Sequence, residues 1–274
     1  MALPGGTITF LFTDIEGSTR LWDEQPDLME LALARHDALL RAAIETNGGT
    51  VFKTIGDAFC AAFPTAPQAL EAALAAQQSL RETSAASGSQ LALAVRMALH
   101  TGTAQQRDGD YFGAALNRVA RLLAIGHGGQ ILLSGVTQGL TCDTLPLSVS
   151  LKALGEHRLR DLGRPESVFH LCHPDLPAGF PPLKSLDNSQ LPNNLPQQLT
   201  SFIGREEQIS QIKELLSKTR LLTLTGSGGC GKTRLSLQVA ADILEDYPEG
   251  VWLVNWRHSV TPRLFPRQWR RRLA

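Results

Sequence analysis

Two short apolar segments separated by a glycine–aspartate pair place the strongest local constraint on the fold of this chain. Residues 50–55 and 58–63 are rich in apolar side chains, and Gly56-Asp57 lies between them. Such a two-residue connection is typical of a β-hairpin, because glycine accepts the left-handed backbone conformation that tight turns require. We therefore predict an antiparallel hairpin with Asp57 at its tip.

The rest of the chain up to Cys172 alternates irregularly between strand and helix patterns. Alternation of apolar residues and helical periodicity predict strands at 7–12, 91–100, 110–112 and 130–134, and helices at 19–47, 67–84 and 114–125. A short helix and two further strands follow before Cys172. Because the order is irregular and includes a hairpin, we predict an α+β fold rather than a doubly wound sheet.

Length and composition limit the number of domains and the partners of the protein. With 274 residues, 43% of them hydrophobic, the chain has room for one full domain and part of a second. Its formal net charge is zero, and its four cysteines lack paired metal-ligand spacing. No secretory leader pattern or membrane-length apolar run is present in the sequence. We expect a reduced, cytoplasmic protein without a membrane anchor or a nucleic-acid partner.

A proline-rich stretch at residues 174–200 interrupts the pattern of strands and helices. It contains the polar runs SLDNSQ and PNNLPQQ, and this composition is typical of a linker. A second unit follows at residues 201–256. Its apolar patterns predict helices at 202–218 and from the loop at 226–233 to about 245, and strands at 221–225 and 251–256.

A glycine-rich loop in the second unit has the spacing of a phosphate-binding loop. The sequence GSGGCGKT at residues 226–233 satisfies the pattern G-x-x-x-x-G-K-[ST] between a predicted strand and a predicted helix. In such loops, backbone amides surround the phosphates, the lysine reaches the β- and γ-phosphates, and the hydroxyl binds magnesium. The residues that we predict to bind nucleotide are Gly226, Gly229, Gly231, Lys232 and Thr233.

Three motifs in the first unit carry acidic, amide and basic side chains at fixed spacings. They are FTDIEGST at residues 12–19, FKTIGDAF at 52–59 and DYFGAALNRVAR at 110–121. Together they resemble the catalytic domain of class III adenylate/guanylate cyclases over about residues 6–172. The resemblance implies a ferredoxin-like α+β sandwich for residues 1–173 and a role in signal transduction through a cyclic nucleotide.

The resemblance also implies a metal site. Cyclisation requires the ribose 3′ hydroxyl to attack the α-phosphate while pyrophosphate leaves, and two divalent cations can assist both oxygens. In the resembled family, residues at the positions of Asp14 and Asp57, with the backbone carbonyl of Ile15, bind two Mg²⁺ or Mn²⁺ ions. Carboxylate oxygens are the ligands that such hard cations prefer, so the residue types suit this role.

The same resemblance implies roles for five further residues. Lys53 and Asp110 match the positions that recognise the adenine ring, which predicts ATP rather than GTP as the substrate. Asn117 and Arg121 lie four residues apart on one helix face, and they match positions that orient the ribose and stabilise charge on the α-phosphate. Arg96 matches a position that contacts phosphate. We interpret His100, near Arg96, as a structural residue.

The family builds each active site between two catalytic domains, with the metal ligands from one and the other groups from its partner. One chain with all these groups implies a symmetric homodimer. Three alternatives remain open at this point. The protein could make cyclic GMP, it could be a non-catalytic nucleotide-sensing regulator, or it could be an ATPase switch driven by the phosphate loop.

The second unit resembles the opening of a STAND-type P-loop ATPase, because LTSFIGREEQI precedes the phosphate loop. In that family a later strand ends in acidic residues, but here VWLVNW leads into an arginine-rich segment at residues 257–274. We therefore expect an incomplete α/β P-loop NTPase fragment at 201–256 and a disordered basic tail at 257–274. Truncation or a shifted reading frame is our hypothesis for this tail.

Overall fold

The protein forms two compact units, and a computed structural model describes residues 3–86, 91–160, 162–185, 192–196, 205–247 and 249–254. The first unit comprises residues 1–188 together with 198–201. The second comprises residues 189–197 together with 202–274. None of the helices within the described ranges has the length and apolar character needed to cross a membrane.

The first unit contains nine strands and five α-helices among its described residues. The strands are β1 Thr7–Ile15, β2 Thr50–Ile55, β3 Ala58–Phe63, β4 Val95–Thr103, β5 Gln105–Arg107, β6 Asp110–Phe112, β7 Ile131–Ser134, β8 Ser150–His157 and β9 Glu166–Cys172. The helices are α1 Ser18–Glu24, α2 Pro26–Thr46, α3 Ala66–Ala86, α4 Ala114–Ala124 and α5 Gly135–Thr141, and a 3₁₀ turn follows at Cys142–Thr144.

Seven of the strands form one sheet in the order β2-β3-β1-β4-β7-β9-β8. Neighbouring strands are antiparallel except for β4 and β7, which run parallel, and β5 pairs with β6 in a separate ribbon. The predicted hairpin is confirmed with the predicted bounds, since β2 and β3 pair on either side of Gly56-Asp57. The predicted α+β architecture is also confirmed.

The sheet has a hydrophobic core on each face. Along β1, Leu11 and Ile15 belong to the core formed with α2 and α3, whereas Ile8 and Phe10 belong to the core beneath α4. Successive side chains of a strand point to opposite faces. The alternation therefore places Asp14 on the face that α4 covers.

The prediction of a single helix over residues 19–47 is wrong, because the structure has two helices, α1 and α2, in this region. The first helix ends at Glu24, and Gln25 separates it from α2, which begins at Pro26. Proline has no backbone N–H for the hydrogen bond of a continuing helix, but it is well suited to the first helical position. Pro26 therefore ends one helix and begins the next.

The second unit contains α6 Glu206–Lys218, α7 Lys232–Asp242 and a 3₁₀ turn at Leu244–Asp246. The two helices pack through Ile212, Leu235 and Val239. The strand predicted at residues 221–225 is not formed, and the side chain of Leu221 is 83% exposed. In the described part of this unit, the β pairing is one parallel bridge between Asn193 and Val251, so no described strand is available to pair with residues 221–225.

Several predictions concern residues that lie wholly or partly outside the described ranges, among them the linker at 174–200 and the helix at 202–218, which is described from Glu206 onward. The predicted strand at 251–256 contributes only the bridge at Val251, and residues 255 and 256 lie outside those ranges. The basic tail at residues 257–274 also lies outside them.

Candidate active site

Two aspartates lie near the point where β1 ends. Asp14 and Ile15 are the last residues of β1, and Asp57 lies in the turn of the neighbouring β2–β3 hairpin. Gly56 makes that turn possible with a φ of 59°. The backbone N–H of Ile15 donates a hydrogen bond to Asp57 Oδ2 over 3.1 Å. The pairing of β1 with β3 thus brings Asp14, Ile15 and Asp57, which are distant in sequence, into one cluster.

Arg96 contacts the same cluster. It lies opposite Asp14 in the antiparallel register of β1 and β4, so both side chains project from the same face of the sheet. Its Nε and Nη2 atoms lie 2.9 Å and 2.5 Å from Asp14 Oδ2. The resemblance implied a phosphate contact for Arg96, and the ion pair with Asp14 could not be predicted because the register between β1 and β4 is not visible in the sequence.

The donor groups of this cluster fit a hard divalent cation. Among the described residues, no three His, Cys, Asp or Glu side chains converge on one point. Magnesium usually takes only one or two protein carboxylates and completes its shell with water and substrate phosphates. The side chain of Asp14 is 25% exposed and can reach such a ligand. Asp14 and Asp57 therefore suit a cation that arrives together with a nucleotide phosphate.

Lys53 and Asp110 form a second cluster. Lys53 lies on β2 and Asp110 begins β6, and Lys53 Nζ lies 2.6 Å from Asp110 Oδ2. The hydrogen bond from Lys53 holds the pKa of Asp110 below its ordinary value, and the same bond raises the pKa of Lys53. The structure thus places a positively charged donor beside a negatively charged acceptor, and both remain partly exposed.

Aromatic residues that the sequence analysis did not single out support this charged pair. Tyr111 packs edge to face on Phe10 and Phe52, with ring centroids 5.3 Å and 5.0 Å away. Its hydroxyl donates to the backbone carbonyl of Pro4. Cys60 is buried next to Lys53, and burial raises the pKa of its thiol to about 11. The signal available in the sequence was that Phe52 and Tyr111 lie inside two of the three motifs, whereas Phe10 lies outside them.

Helix α4 carries the third group of predicted residues. Val119 faces the core, whereas Asn117 is exposed and Arg121 is partly buried. Arg118 donates to Glu166 Oε2 over 3.0 Å, so it fastens α4 to β9. Burial raises the pKa of Glu166 in spite of this ion pair. Asn117 and Arg121 are four residues apart and present a carboxamide and a guanidinium on the same side of the helix.

His100 is part of a buried polar network, which agrees with the structural role predicted for it. The side chain is 5% exposed, and its Nδ1 lies 2.8 Å from Ser134 Oγ. Hydroxyl contacts continue from Ser134 through Thr137 to Thr101 and Thr9. Burial is the main reason that the pKa of His100 falls to about 4. The imidazole is therefore neutral in the folded protein near neutral pH.

We expect His100 to make the protein less stable as the pH falls from about 6.5 to about 4. Its pKa is lower in the folded than in the unfolded chain, so the unfolded chain binds more protons in this range. The free energy of unfolding should fall by about 2 kcal/mol between about pH 7 and pH 5 from this residue alone. Urea unfolding of the protein and of His100→Gln measures this, and the same slope in both would contradict the assignment.

The phosphate loop of the second unit is formed around its own lysine. Gly226, Gly229 and Gly231 have φ values of 154°, 76° and 84°, which favour glycine. Lys232 Nζ donates to the carbonyls of Gly226 and Ser227 over 2.8 Å and 2.7 Å. Lys232 and Thr233 are the first residues of α7. The loop and the helix N-terminus thus adjoin, and nucleotide binding there stays a prediction.

Comparison with protein families identifies a match to most of the first unit. The model of the adenylate and guanylate cyclase catalytic domain matches residues 2–173. An uncharacterized protein of Mycobacterium tuberculosis is 44% identical over 209 residues, covering 76% of this chain and 70% of that protein. The adenylate cyclase of Lachancea kluyveri is 37% identical over 158 residues, covering 49% of this chain and 8% of that enzyme. This chain thus spans a small part of the fungal enzyme.

Solved structures show the same fold. An adenylate cyclase from Trypanosoma brucei, in its monomeric state, has a TM-score of 0.55 at 27% identity, covering 68% of this chain and 97% of that one. An adenylate/guanylate cyclase/hydrolase from Silicibacter pomeroyi has a TM-score of 0.55 at 30% identity, covering 60% of this chain and 95% of that one. The two structures are similar to more than half of this chain.

Proposed function

Because the chain belongs to the adenylate and guanylate cyclase catalytic domain family, we propose that it converts ATP into 3′,5′-cyclic AMP and pyrophosphate. The observation that carries this proposal is the cluster of Asp14, Ile15 and Asp57, joined by the hydrogen bond from the Ile15 N–H to Asp57. Two carboxylates beside a partly open surface suit binding of a metal–triphosphate complex. The family accounts for the reaction class, and the charged pair on β2 and β6 supports ATP as the substrate.

We propose that Asp14, Asp57 and the carbonyl of Ile15 hold two Mg²⁺ or Mn²⁺ ions. When bound, such ions would lower the pKa of the ribose hydroxyl and neutralise charge on the leaving pyrophosphate. Arg96 supplies a countercharge to Asp14 within the same cluster. Because Arg96 lies beside the proposed metal ligands, we also propose that it donates a hydrogen bond to a phosphate oxygen of the nucleotide.

The charged pair of Lys53 and Asp110 is the reason that we propose ATP as the substrate. Adenine presents an acceptor at N1 and a donor at its exocyclic amine, and guanine presents the opposite arrangement. Lys53 Nζ can donate to N1, and Asp110 can accept from the amine, from positions 2.6 Å apart in the structure. An unpaired polar group in a binding site is costly, so this arrangement favours ATP over GTP.

Replacing Lys53 by alanine should reduce the preference for ATP. We expect the ratio of kcat/KM for ATP to that for GTP to fall by about tenfold or more, because a hydrogen bond to a charged group contributes about 1.5–3 kcal/mol. The measurement is chromatography of the cyclic products formed from each nucleotide in Mg²⁺ and in Mn²⁺. Lys152→Ala, an exposed lysine on β8, is the control. A protein that prefers GTP before any substitution would support the guanylate cyclase alternative.

We propose that a second copy of the chain completes each site. Domains of this family generally bind nucleotide and dimerise. Asn117 and Arg121 on α4 would act on the ribose and α-phosphate held by the metal cluster of the partner. A guanidinium placed where charge develops on the α-phosphate lowers the barrier of the reaction. The dimer would be symmetric, with two equivalent sites.

The setting of this activity is also a proposal. All four cysteines are free thiols, which favours a reducing compartment and thus the cytoplasm. There the cyclic nucleotide would serve signal transduction. We propose further that the phosphate loop and α7 belong to a STAND-type ATPase fragment, for which the sequence pattern and the adjoining helix N-terminus are the support.

A further inference from the structure

The segment at residues 174–185, which we name the strap, follows the part of the chain matched by the family model, residues 2–173. It belongs to the first unit, where Leu176, Leu183 and Ser185 are its buried residues. Leu176 is buried in the core with α2 and α3, and Leu183 is buried in the core beneath α4. The backbone N–H of Lys184 donates to the carbonyl of Ile125 over 3.0 Å. Ser185 Oγ lies 2.7 Å from His157 Nδ1.

The strap ends on the loop that follows the proposed metal ligands. Lys184 Nζ lies 2.7 Å from Glu16 Oε1. The other carboxylate oxygen of Glu16 accepts the backbone N–H of Gly128 over 2.7 Å. The backbone N–H of Glu16 donates to the carbonyl of Ala94 over 2.9 Å. Glu16 is therefore fastened at three points, and it is the residue directly after Ile15.

Glu16 and Gly17 form the short connection between β1 and α1. Gly17 has a φ of 73°, and a side chain placed there would meet nothing within 4 Å. Gly17 is the N-cap of α1, and its carbonyl accepts the backbone N–H of Leu21 over 3.2 Å. The contacts of Glu16 therefore hold the chain at the point where it leaves β1, directly after Asp14 and the Ile15 carbonyl. Lys184 provides the one of those contacts that comes from outside the matched domain.

We propose that Lys184 is a positioning residue for the metal site, acting through Glu16 on Ile15 and Asp14. This inference rests on the proposed function for the identity of the metal–nucleotide ligand. Residues that orient metal ligands from behind typically change metal affinity when they are replaced. The strap is the first part of the stretch at 174–200 that we predicted to be a linker, and displacement of the strap would weaken metal binding and lower the activity. The segment is thus a point at which the activity can be regulated.

The test measures binding of Mn²⁺ to the full chain in the presence of 3′-deoxy-ATP, which cannot cyclise because it lacks the attacking hydroxyl. Electron paramagnetic resonance of free Mn²⁺, compared with the same nucleotide in the absence of protein, gives the affinity of the protein site without turnover. Lys184→Met should weaken binding by about tenfold, and Lys184→Arg should restore most of it. With ATP, Lys184→Met should raise the Mn²⁺ concentration for half-maximal rate more than it lowers kcat at saturating Mn²⁺.

Lys152→Met is the matched control, since it removes an exposed lysine from β8, the edge strand that three other strands separate from β1. If Lys184→Met should unfold, Glu16→Gln weakens the same ion pair from the loop side and carries the same expectation. Wild-type Mn²⁺ affinity in Lys184→Met, or an equal loss in Lys152→Met, would overturn the proposal. If the protein forms no cyclic product but Lys184→Met still weakens Mn²⁺ binding, the proposed cyclase activity is wrong and the positioning role of Lys184 is upheld.

Discussion

Asp57→Asn should abolish most formation of cyclic AMP, with a loss of about a hundredfold or more. The substitution removes one negative charge from the cluster at the end of β1 but keeps a side-chain oxygen that can accept the Ile15 N–H. A metal ion contributes several kcal/mol to the stabilisation of charge in such reactions, and about 1.4 kcal/mol corresponds to a tenfold change in rate. The measurement is the initial rate with ATP in Mg²⁺ and in Mn²⁺.

The control for Asp57→Asn is Asp143→Asn, which removes an exposed aspartate from the 3₁₀ turn after α5. That variant should keep the wild-type rate, and both variants should unfold at the wild-type temperature. Cyclic AMP production by Asp57→Asn within a few-fold of wild type would show that the carboxylate does not bind an essential metal. The loss caused by Asp57→Asn should also appear as weaker binding of Mn²⁺ in the presence of nucleotide.

A mixture of two inactive variants should recover activity if each site is shared by two chains. Asp57→Asn disables the metal side of both sites in its homodimer, and Arg121→Ala disables the phosphate side of both sites in its own. A heterodimer of the two variants contains one site with both intact residues. With free exchange of subunits, half of the dimers are mixed, so the rate should reach about a quarter of wild type.

The mixing experiment uses equal amounts of the two purified variants, co-incubated until subunits have exchanged, and measures cyclic AMP at constant total protein. Each variant alone gives the baseline. An Asp14→Asn and Asp57→Asn mixture is the matched control, because both substitutions lie on the same side of the site and no intact site can form. Recovery in that control, or no recovery in the Asp57 and Arg121 mixture despite mixed dimers, would contradict the shared site.

Local patterns predicted those parts of the fold that depend on neighbouring residues. The hairpin around Gly56-Asp57 was predicted with its bounds, since turn chemistry and apolar runs are local properties. The long helix over residues 19–47 was wrong because Pro26 separates α1 from α2. The strand at 221–225 was also wrong, because a strand needs a partner and the described part of the second unit offers none to pair with it.

The sequence predicted which residues belong to the candidate site, but it did not predict the contacts between them. The motifs pointed to Asp14, Asp57, Lys53 and Asp110. In the structure these residues form two separate clusters, one at the end of β1 and one between β2 and β6. The bond between Arg96 and Asp14 depends on the register of β1 against β4, which a single sequence does not display. The contact of Lys184 with Glu16 joins residues 168 positions apart and has no local pattern. Long-range contacts of this kind therefore required the structure.

The most direct test of the account follows ATP and its products by ³¹P nuclear magnetic resonance with the purified full chain and Mn²⁺. We predict that resonances of 3′,5′-cyclic AMP and pyrophosphate increase one for one as those of ATP decrease. Accumulation of ADP and inorganic phosphate instead would point to the phosphate loop as the working site. No loss of ATP from a dimeric protein that binds the nucleotide would contradict the cyclase and favour a nucleotide-sensing regulator.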